Sequence, residues 1–141
     1  MPSADTLFSV ANPLVIPGWL LLMFVPRWRW TLPAVRWVIV PLLAIGYTAL
    51  ILARFGSNEG GFGSLAEVQL LFADPYTLVA GWVHYLAFDL FIGSWIAEDA
   101  VASNVPAWLR IGVLPLTFMF GPIGLLLYLA GRIPFRSPAH T

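Results

Sequence analysis

The sequence contains no cysteine and no lysine, and both absences narrow the chemistry that is open to this protein. Without cysteine it has no disulfide, no thiolate metal site and no cysteine nucleophile. Without lysine it has no Schiff base, no retinal-type linkage and no phosphate-binding P-loop. All seven basic residues are arginines, and they form no basic stripe, so we expect no nucleic-acid partner.

Charged residues are scarce, at 10% of 141 residues, whereas hydrophobic residues make up 60%. A soluble domain usually carries about 25% charged residues, so this chain has too few to cover a water-exposed surface. Its first residues carry no positively charged segment of the kind that begins a signal peptide. We therefore expect a protein that inserts directly into a membrane and has the lipid bilayer as a partner.

Four apolar segments are long enough to cross a bilayer, which requires about 20 residues. They cover residues 6–25, 33–54, 75–99 and 107–131, and most of the tryptophans lie near their ends, as interfacial residues do. The sequence therefore predicts one transmembrane domain over residues 1–141. Its expected fold class is all-α, an integral-membrane four-helix bundle.

The connection between the second and third spans predicts a short helix at the membrane interface. Ser64 and Glu67 have the spacing of a capping box, and apolar residues then recur on one face as far as Phe72. Asp74 and Pro75 follow as the N-cap and first helical residue of the third span. The glycine-rich residues before Ser64 lack the Gly-Lys-Ser/Thr sequence of a phosphate loop and indicate a plain turn.

The arginines give conflicting indications of orientation. The first connection carries three of them and the third carries Arg110, which favours both connections inside and both termini outside. Arg132 and Arg136 follow the fourth span and favour the opposite orientation.

The third span holds two ionisable residues, His84 and Asp89, well inside an apolar stretch. A carboxylate within the bilayer costs roughly 3 kcal/mol on insertion scales, so it usually serves a function. We predict catalytic roles for Asp89, His84 and Glu98 through proton transfer. Helical geometry separates His84 and Asp89 by roughly 140°, so any cooperation needs partners from other helices. A purely structural role, with Asp89 hydrogen-bonded to a neighbouring Trp, Tyr or Asn, is equally open.

One stripe of the third span carries the ring side chains of His84, Phe88, Phe91 and Trp95. This aromatic stripe and a few polar side chains are candidates for binding a ligand. The stripe is typical either of a pocket for a long conjugated or lipid molecule or of ordinary core and lipid-facing surface. The candidate substrate-binding residues are Asn12, Tyr85, Phe88, Phe91, Trp95 and Thr117. Prolines inside the first and fourth spans free backbone carbonyls, which indicates either an enclosed polar group or simple packing kinks.

A metal site is only weakly indicated. The chain has two histidines, His84 and His140, which are too few for a multi-histidine iron site. The remaining candidate ligands are Asp89, Glu98, Asp99 and His84. The adjacent acids Glu98 and Asp99 are compatible with a cation site, with an acid–base pair or with a solvated helix end.

Four parts of the chain together resemble one family. They are Ala11-Asn12 with residues 18–22, residues 63–65 with Val68, the specific motif at residues 80–95, and residues 116–128. The pattern is similar to the abscisic-acid-deficiency-type membrane family, whose plant member is linked to neoxanthin synthesis from violaxanthin. The resemblance implies a small four-helix membrane protein with a carotenoid connection. Because the plastid-targeting extension of the plant members is missing, we expect a bacterial homologue in the inner membrane.

Three functions agree with these observations. The first is a carotenoid- or isoprenoid-modifying enzyme, neoxanthin-synthase-like, that isomerises its substrate by acid–base chemistry or carries out a related β-ring conversion. Such an isomerisation requires no cofactor. The second is a non-catalytic scaffold that binds a carotenoid or lipid. The third, ranked last, is a proton-coupled carrier subunit, which needs a homo-oligomer to form a pathway.

Overall fold

The first three predicted spans are helices, and the predicted all-α class is confirmed. The computed structural model describes residues 2–54, 56 and 59–135, and it contains no strand over those ranges. In chain order the first helices are α1 (Ala4–Phe24), α2 (Thr31–Arg54), α3 (Leu65–Ala73) and α4 (Pro75–Ala102). By length and composition α1, α2 and α4 can cross a membrane. Part of the predicted turn, at residues 57–58, lies outside the described residues, as do Arg136 and His140.

The predicted helix starts around α3 and α4 are confirmed. The Ser64 hydroxyl accepts a hydrogen bond from the backbone N–H of Glu67 at 3.2 Å, which caps α3. The Asp74 carboxylate accepts one from the backbone N–H of Thr77 at 2.8 Å, and Pro75 is the first residue of α4. As a result α4 begins directly after α3, with only Asp74 between them.

The predicted fourth span, and with it the four-helix bundle, is corrected by the structure. Residues 107–131 form two shorter helices, α5 (Ala107–Phe120) and α6 (Pro122–Gly131), with Gly121 between them. At 1.5 Å per residue these helices extend about 21 and 15 Å, whereas the hydrocarbon core is about 30 Å thick. Gly121 has a φ of +41°, and Pro122 has no N–H to donate, so one straight helix cannot pass through this point.

Helices α5 and α6 fold back on each other as an antiparallel hairpin. Gly124, near the start of α6, lies against Thr117, near the end of α5; a Cβ on this glycine would be 2.2 Å from the threonine hydroxyl. At the other end of α6, Gly131 lies against Leu109 in the first turn of α5. Small residues at both contacts let the two backbones approach closely, as is common for helices within membranes.

The hairpin reaches only the middle of α4 and then returns. Its tip, Gly121, is in contact with Asp89, close to the midpoint of the 28-residue α4. Near its base, Tyr128 donates a hydrogen bond to Asp99, and Arg132 forms an ion pair with the same carboxylate at 2.8 Å. Both ends of the hairpin therefore lie at the C-terminal end of α4, and the segment has the form of a re-entrant hairpin.

Helix α4 lies at the centre of the molecule, and α1 runs parallel to it. Near the start of α4, the indole N–H of Trp82 donates a hydrogen bond to the side-chain oxygen of Asn12 at 2.8 Å. Further along, the Trp19 ring packs on Gly93, where a Cβ would be only 2.5 Å from the indole. The close approach at Gly93 lets the large Trp19 side chain be buried between the two helices.

Helix α2 runs antiparallel to α4, and an ion pair joins the two helices at each end. Arg36 binds Glu98 at 2.8 Å, and Arg54 binds Asp74 at 2.6 Å. The residues Val35–Ile39 of α2 form a π-helical turn, which alters the helical register around Arg36. The two ion pairs fix the position of α2 along α4.

The two ends of this assembly carry opposite charge. The arginine-rich end, where α1 and α4 finish and α5 begins, has Arg27, Arg29, Arg36, Arg110 and Arg132 together with Glu98 and Asp99. The opposite end has Arg54 together with Asp5, Glu59, Glu67 and Asp74. Because the hairpin reverses, Arg132 lies at the same end of the molecule as Arg110. These two arginines therefore no longer indicate opposite orientations in the membrane.

Candidate functional site

The hairpin tip contains a backbone carbonyl that has lost its helical partner. The carbonyl of Phe118 would normally accept a hydrogen bond from residue 122, but Pro122 has no N–H. The hydroxyl of Tyr85 on α4 donates to this carbonyl instead, at 2.6 Å. An unpaired carbonyl is costly within lipid, so Tyr85 both satisfies the carbonyl and attaches the hairpin tip to α4.

Asp89 lies one helical turn after Tyr85, in contact with the hairpin tip. A Cβ on Gly121 would be 2.8 Å from Oδ1 and 3.0 Å from Oδ2 of the carboxyl group. Oδ2 is buried and has no hydrogen-bond partner among the described residues. The side chain that interacts with this carboxyl group is that of Tyr85. Asp89 therefore has unused hydrogen-bonding capacity at the middle of a candidate membrane span.

The N-terminal end of α6 lies beside the same carboxyl group. The first N–H groups of a helix have no acceptor within that helix, and the helix dipole adds partial positive charge there. Among the described residues, no side chain caps this end of α6. An anionic form of Asp89, or of a molecule bound next to it, would be stabilised by this end of α6.

Tyr85, Asp89 and the start of α6 together form a small polar site inside an apolar structure. Because Asp89 has a free oxygen, it can give a proton to a bound molecule or take one from it. The Tyr85 hydroxyl already donates its one proton to the hairpin, so its role in the observed arrangement is to hold the tip next to the carboxyl group. We call this arrangement the tip site.

The predicted catalytic residue His84 lies on another face of α4. Its ring is exposed and stacks on Phe88, with the ring centroids 4.4 Å apart. The Tyr47 ring of α2 lies 5.7 Å from it. No described hydrogen bond joins His84 to Asp89, in agreement with the angular separation that the sequence indicated.

The predicted acids Glu98 and Asp99 bind different parts of the molecule. Glu98 pairs with Arg36 on α2, whereas Asp99 pairs with Arg132 and accepts a hydrogen bond from Tyr128. Each carboxylate thus has its own arginine. No group of three or more histidine, aspartate or glutamate side chains comes together within the described ranges, so the four weak metal candidates are not gathered at one point.

The predicted substrate-binding residues are distributed along α4 and its neighbours. Tyr85 and Thr117 lie at the hairpin tip, but the Thr117 hydroxyl donates to the Val113 carbonyl at 2.9 Å. Phe88 and Phe91 are 61% and 47% exposed on the outside of α4, where they are available to lipid or a ligand.

The other two predicted substrate-binding residues, Asn12 and Trp95, lie on opposite sides of the tip site along α4. The side-chain amide of Asn12 donates to the carbonyl of Phe8 and accepts from Trp82. The Trp82 ring lies 5.3 Å from the ring of Tyr85, which connects this pair to the tip site. Trp95 contacts the edge of Tyr128 near the base of the hairpin.

Two recesses are open to a hydrophobic ligand. A pocket of about 450 Å³ lies where α1, α3 and α4 meet, and its walls include Phe8, Phe72 and Trp82. An apolar groove of about 660 Å³ lies between α1 and α2, with Gly46 and Val83 among its lining residues. Neither recess reaches Asp89, but Trp82 connects the smaller one to Tyr85.

Sequence reasoning expected freed backbone carbonyls in the fourth span, but it did not place one of them beside Asp89. The Phe118 carbonyl and the start of α6 became part of the site because the chain reverses at Gly121. The Gly121-Pro122 pair was the available signal, since this pair often marks the end of a helix. The sequence leaves two interpretations of these prolines open, an enclosed polar group and a packing kink, and neither includes a reversal of the chain.

Taken together, the fold and the site define an all-α membrane-type protein in which a re-entrant hairpin meets a carboxyl group at the middle of the central helix. The chain belongs to the ABA DEFICIENT 4-like family, whose model matches residues 6–128. The family expected from the sequence is thereby confirmed.

One curated relative is the chloroplastic protein ABA DEFICIENT 4 of Arabidopsis thaliana. It is 24% identical over 132 residues, which cover 87% of this chain and 59% of the relative. This chain therefore spans about three fifths of the length of that protein. No solved structure matches this chain.

Proposed function

We propose that this protein binds a carotenoid or a related isoprenoid within the membrane and isomerises it by proton transfer at Asp89. Family membership supports a hydrophobic substrate, through the carotenoid connection that the resemblance implies. The observation that carries the catalytic part is the buried Oδ2 of Asp89, which has no partner in the described structure. A carboxyl group kept in this state at the middle of a span is costly and favours a functional role.

The proposed chemistry needs one acid and one base but no net oxidation. When an epoxide opens to an allenic alcohol, the epoxide oxygen gains a proton as its C–O bond breaks. A neighbouring carbon loses a proton as the new double bond forms, so the two proton transfers balance. Asp89 would carry out one of these transfers, with the start of α6 stabilising its anionic form. His84 and Glu98 stay candidates for the other transfer.

The substrate would approach the tip site along one face of α4. The pocket between α1, α3 and α4 has aromatic walls suited to the end ring of an isoprenoid. From there, Trp82 and Tyr85 lie in succession on the way to Asp89. The approach route requires these two aromatic side chains to shift when substrate binds.

The deciding experiment is expression in a carotenoid-producing bacterial host, followed by pigment extraction from the cells and from the purified protein. We expect the wild-type protein to form a new carotenoid, and Asp89→Asn to lose this product while pigment still co-purifies. Glu59→Gln removes a carboxylate at an exposed position and serves as the matched control, with activity unchanged. Full activity of Asp89→Asn would refute the proposal.

The same experiment tests the non-catalytic alternative. The groove between α1 and α2 is almost entirely apolar and supports a role in holding a long hydrophobic molecule. A binding protein would co-purify with an unchanged pigment, and no substitution at the tip site would alter the pigment profile. His84→Ala in the same series tests whether the exposed histidine takes part in turnover.

The re-entrant hairpin also favours the third candidate function, that of a proton-coupled carrier. In secondary transporters, interrupted helices place their ends at the bilayer midplane beside the coupling-ion site. The tip site has this arrangement, with Asp89 beside the start of α6. A carrier would move protons across liposomes in a manner that Asp89→Asn abolishes, without forming any new carotenoid.

A further inference from the structure

A second polar site lies at the arginine-rich end, away from the tip site. Arg110, in the first turns of α5, is only 5% exposed. One of its terminal nitrogens donates to the Met23 carbonyl at the end of α1, over a distance of 3.3 Å. Its Nε is buried and has no hydrogen-bond partner in the described part of the chain. A buried guanidinium normally has its donors satisfied, so this side chain has capacity for another acceptor.

The charge around Arg110 is also uncompensated. The charged side chain that acts on it electrostatically is Arg27, which is another cation. The arginines that form ion pairs with acids in the described structure are Arg36, Arg54 and Arg132. Arg110 is buried and Arg27 is exposed, so a second cation next to the buried guanidinium is unfavourable, and an anion bound between the two would offset the repulsion.

The start of α5 adds further donors at the same place. Pro106 precedes the helix, and no side chain in the described part of the molecule caps this end. The N–H groups of Leu109 and Arg110 donate to the Pro106 carbonyl, so those of Ala107 and Trp108 are the ones open to an external acceptor, and the helix dipole favours a negative one. Trp108, in the same turn, is 71% exposed, as expected for a residue at the membrane interface.

We propose that Arg27, Arg110 and the start of α5 bind the phosphate of an anionic phospholipid headgroup. Guanidinium groups bind phosphate oxygens through paired hydrogen bonds, and two of them more than neutralise the single negative charge of a phosphodiester. The position of the site at the end of two candidate spans is where lipid phosphates lie. This site is independent of the proposed isomerase function, since it shares no residue with the tip site.

The test is thermal unfolding of the purified protein in detergent, with added phosphatidylglycerol, phosphatidylcholine or inorganic phosphate. We expect a saturable rise in Tm with phosphatidylglycerol, a much smaller rise with phosphatidylcholine and none with inorganic phosphate. In Arg27→Gln and Arg110→Gln, the apparent affinity for phosphatidylglycerol should fall roughly tenfold, because each loses a charge-assisted hydrogen bond.

Arg29→Gln is the matched control, because Arg29 lies at the same end but stacks over Trp30. It should keep the response of the wild-type protein. Arg110 also binds α1, so if Arg110→Gln does not fold, Arg27→Gln decides the test. The proposal fails if Arg27→Gln responds like Arg29→Gln, or if phosphatidylcholine raises Tm as much as phosphatidylglycerol does. An equal response to inorganic phosphate would overturn the lipid assignment in favour of a free anion.

Discussion

Gly121 makes room for the Asp89 carboxyl group at the hairpin tip. We expect Gly121→Ala to lower the stability of the protein for two reasons. Its φ of +41° is unfavourable for alanine by about 1–2 kcal/mol. The added methyl group would also lie 2.8 Å from Oδ1 of Asp89. Thermal unfolding of the purified variant in detergent should therefore show a lower Tm, accompanied by altered turnover if the tip site is catalytic.

Gly112→Ala provides the matched control for this prediction. Gly112 lies within the same hairpin, in α5, but a Cβ at this position has no neighbour within 4 Å. Alanine is favoured over glycine inside a helix by about 1 kcal/mol, so this variant should be as stable as the wild type or more stable. If both variants have the same Tm, the contact between Gly121 and Asp89 is not important for stability.

At the scale of single residues, the sequence identified the carboxyl group of Asp89 but not most of its surroundings. Asp89 stood out because an acid in an apolar stretch needs a reason to be there. Tyr85 was among the predicted residues, but its other neighbours could not be found by residue type, since they are a glycine without a side chain and the start of a helix. A backbone group becomes part of a site only through the path of the chain, and that path depends on the packing of the hairpin against α4.

At the scale of helices, the start of α4 is held by a charged cap outside the membrane-spanning segment. Burial acts to raise the pKa of Asp74, but the hydrogen bonds from the Thr77 N–H and the Arg54 guanidinium outweigh it. The pKa of Asp74 is therefore lowered below its usual value. A lowered pKa in the folded state means that the carboxylate stabilises the fold above the pKa it has when unfolded.

This cap predicts a specific pH dependence of stability. As the pH falls below the usual pKa of an aspartate and through the lowered value, Asp74 gains a proton and its contribution is lost. Asp74→Asn can still cap the helix but cannot titrate, so its acid-induced loss of Tm should be smaller than that of the wild type. Parallel acid titrations of Tm for the two proteins measure the difference, and identical curves would contradict the prediction.

The helices show why three of the predicted spans are confirmed as helices long and apolar enough to cross a membrane and why the fourth is not. Hydropathy and length identify a segment that is apolar enough to cross, and residues 107–131 meet both conditions. They do not report whether the chain reverses halfway. The reversal is specified by Gly121-Pro122 and by tertiary contacts such as that of Gly124 with Thr117. A segment buried against protein can contain such a break because Tyr85 satisfies the freed carbonyl.

For the whole molecule, the unequal distribution of charge predicts an orientation in the membrane. The arginine-rich end carries most of the described arginines, whereas the opposite end has Arg54 and four acids. Positive residues flanking membrane spans favour the cytoplasmic side. We therefore expect the arginine-rich end, including the base of the hairpin, to face the cytoplasm and α3 to lie at the outer interface.

The re-entrant hairpin makes this orientation testable at two positions. Phe62 precedes α3 and is 87% exposed, and Ile133 follows α6 and is 62% exposed. If residues 107–131 crossed the membrane, these two residues would lie on the same side of it. With three spans and a re-entrant hairpin they lie on opposite sides.

Because the chain has no cysteine, Phe62→Cys and Ile133→Cys each introduce a unique thiol. In intact cells, a membrane-impermeant maleimide should label only Phe62→Cys, and Ile133→Cys should react after permeabilisation. Labelling of both variants in intact cells would restore a fourth span and remove the hairpin tip from the middle of the membrane.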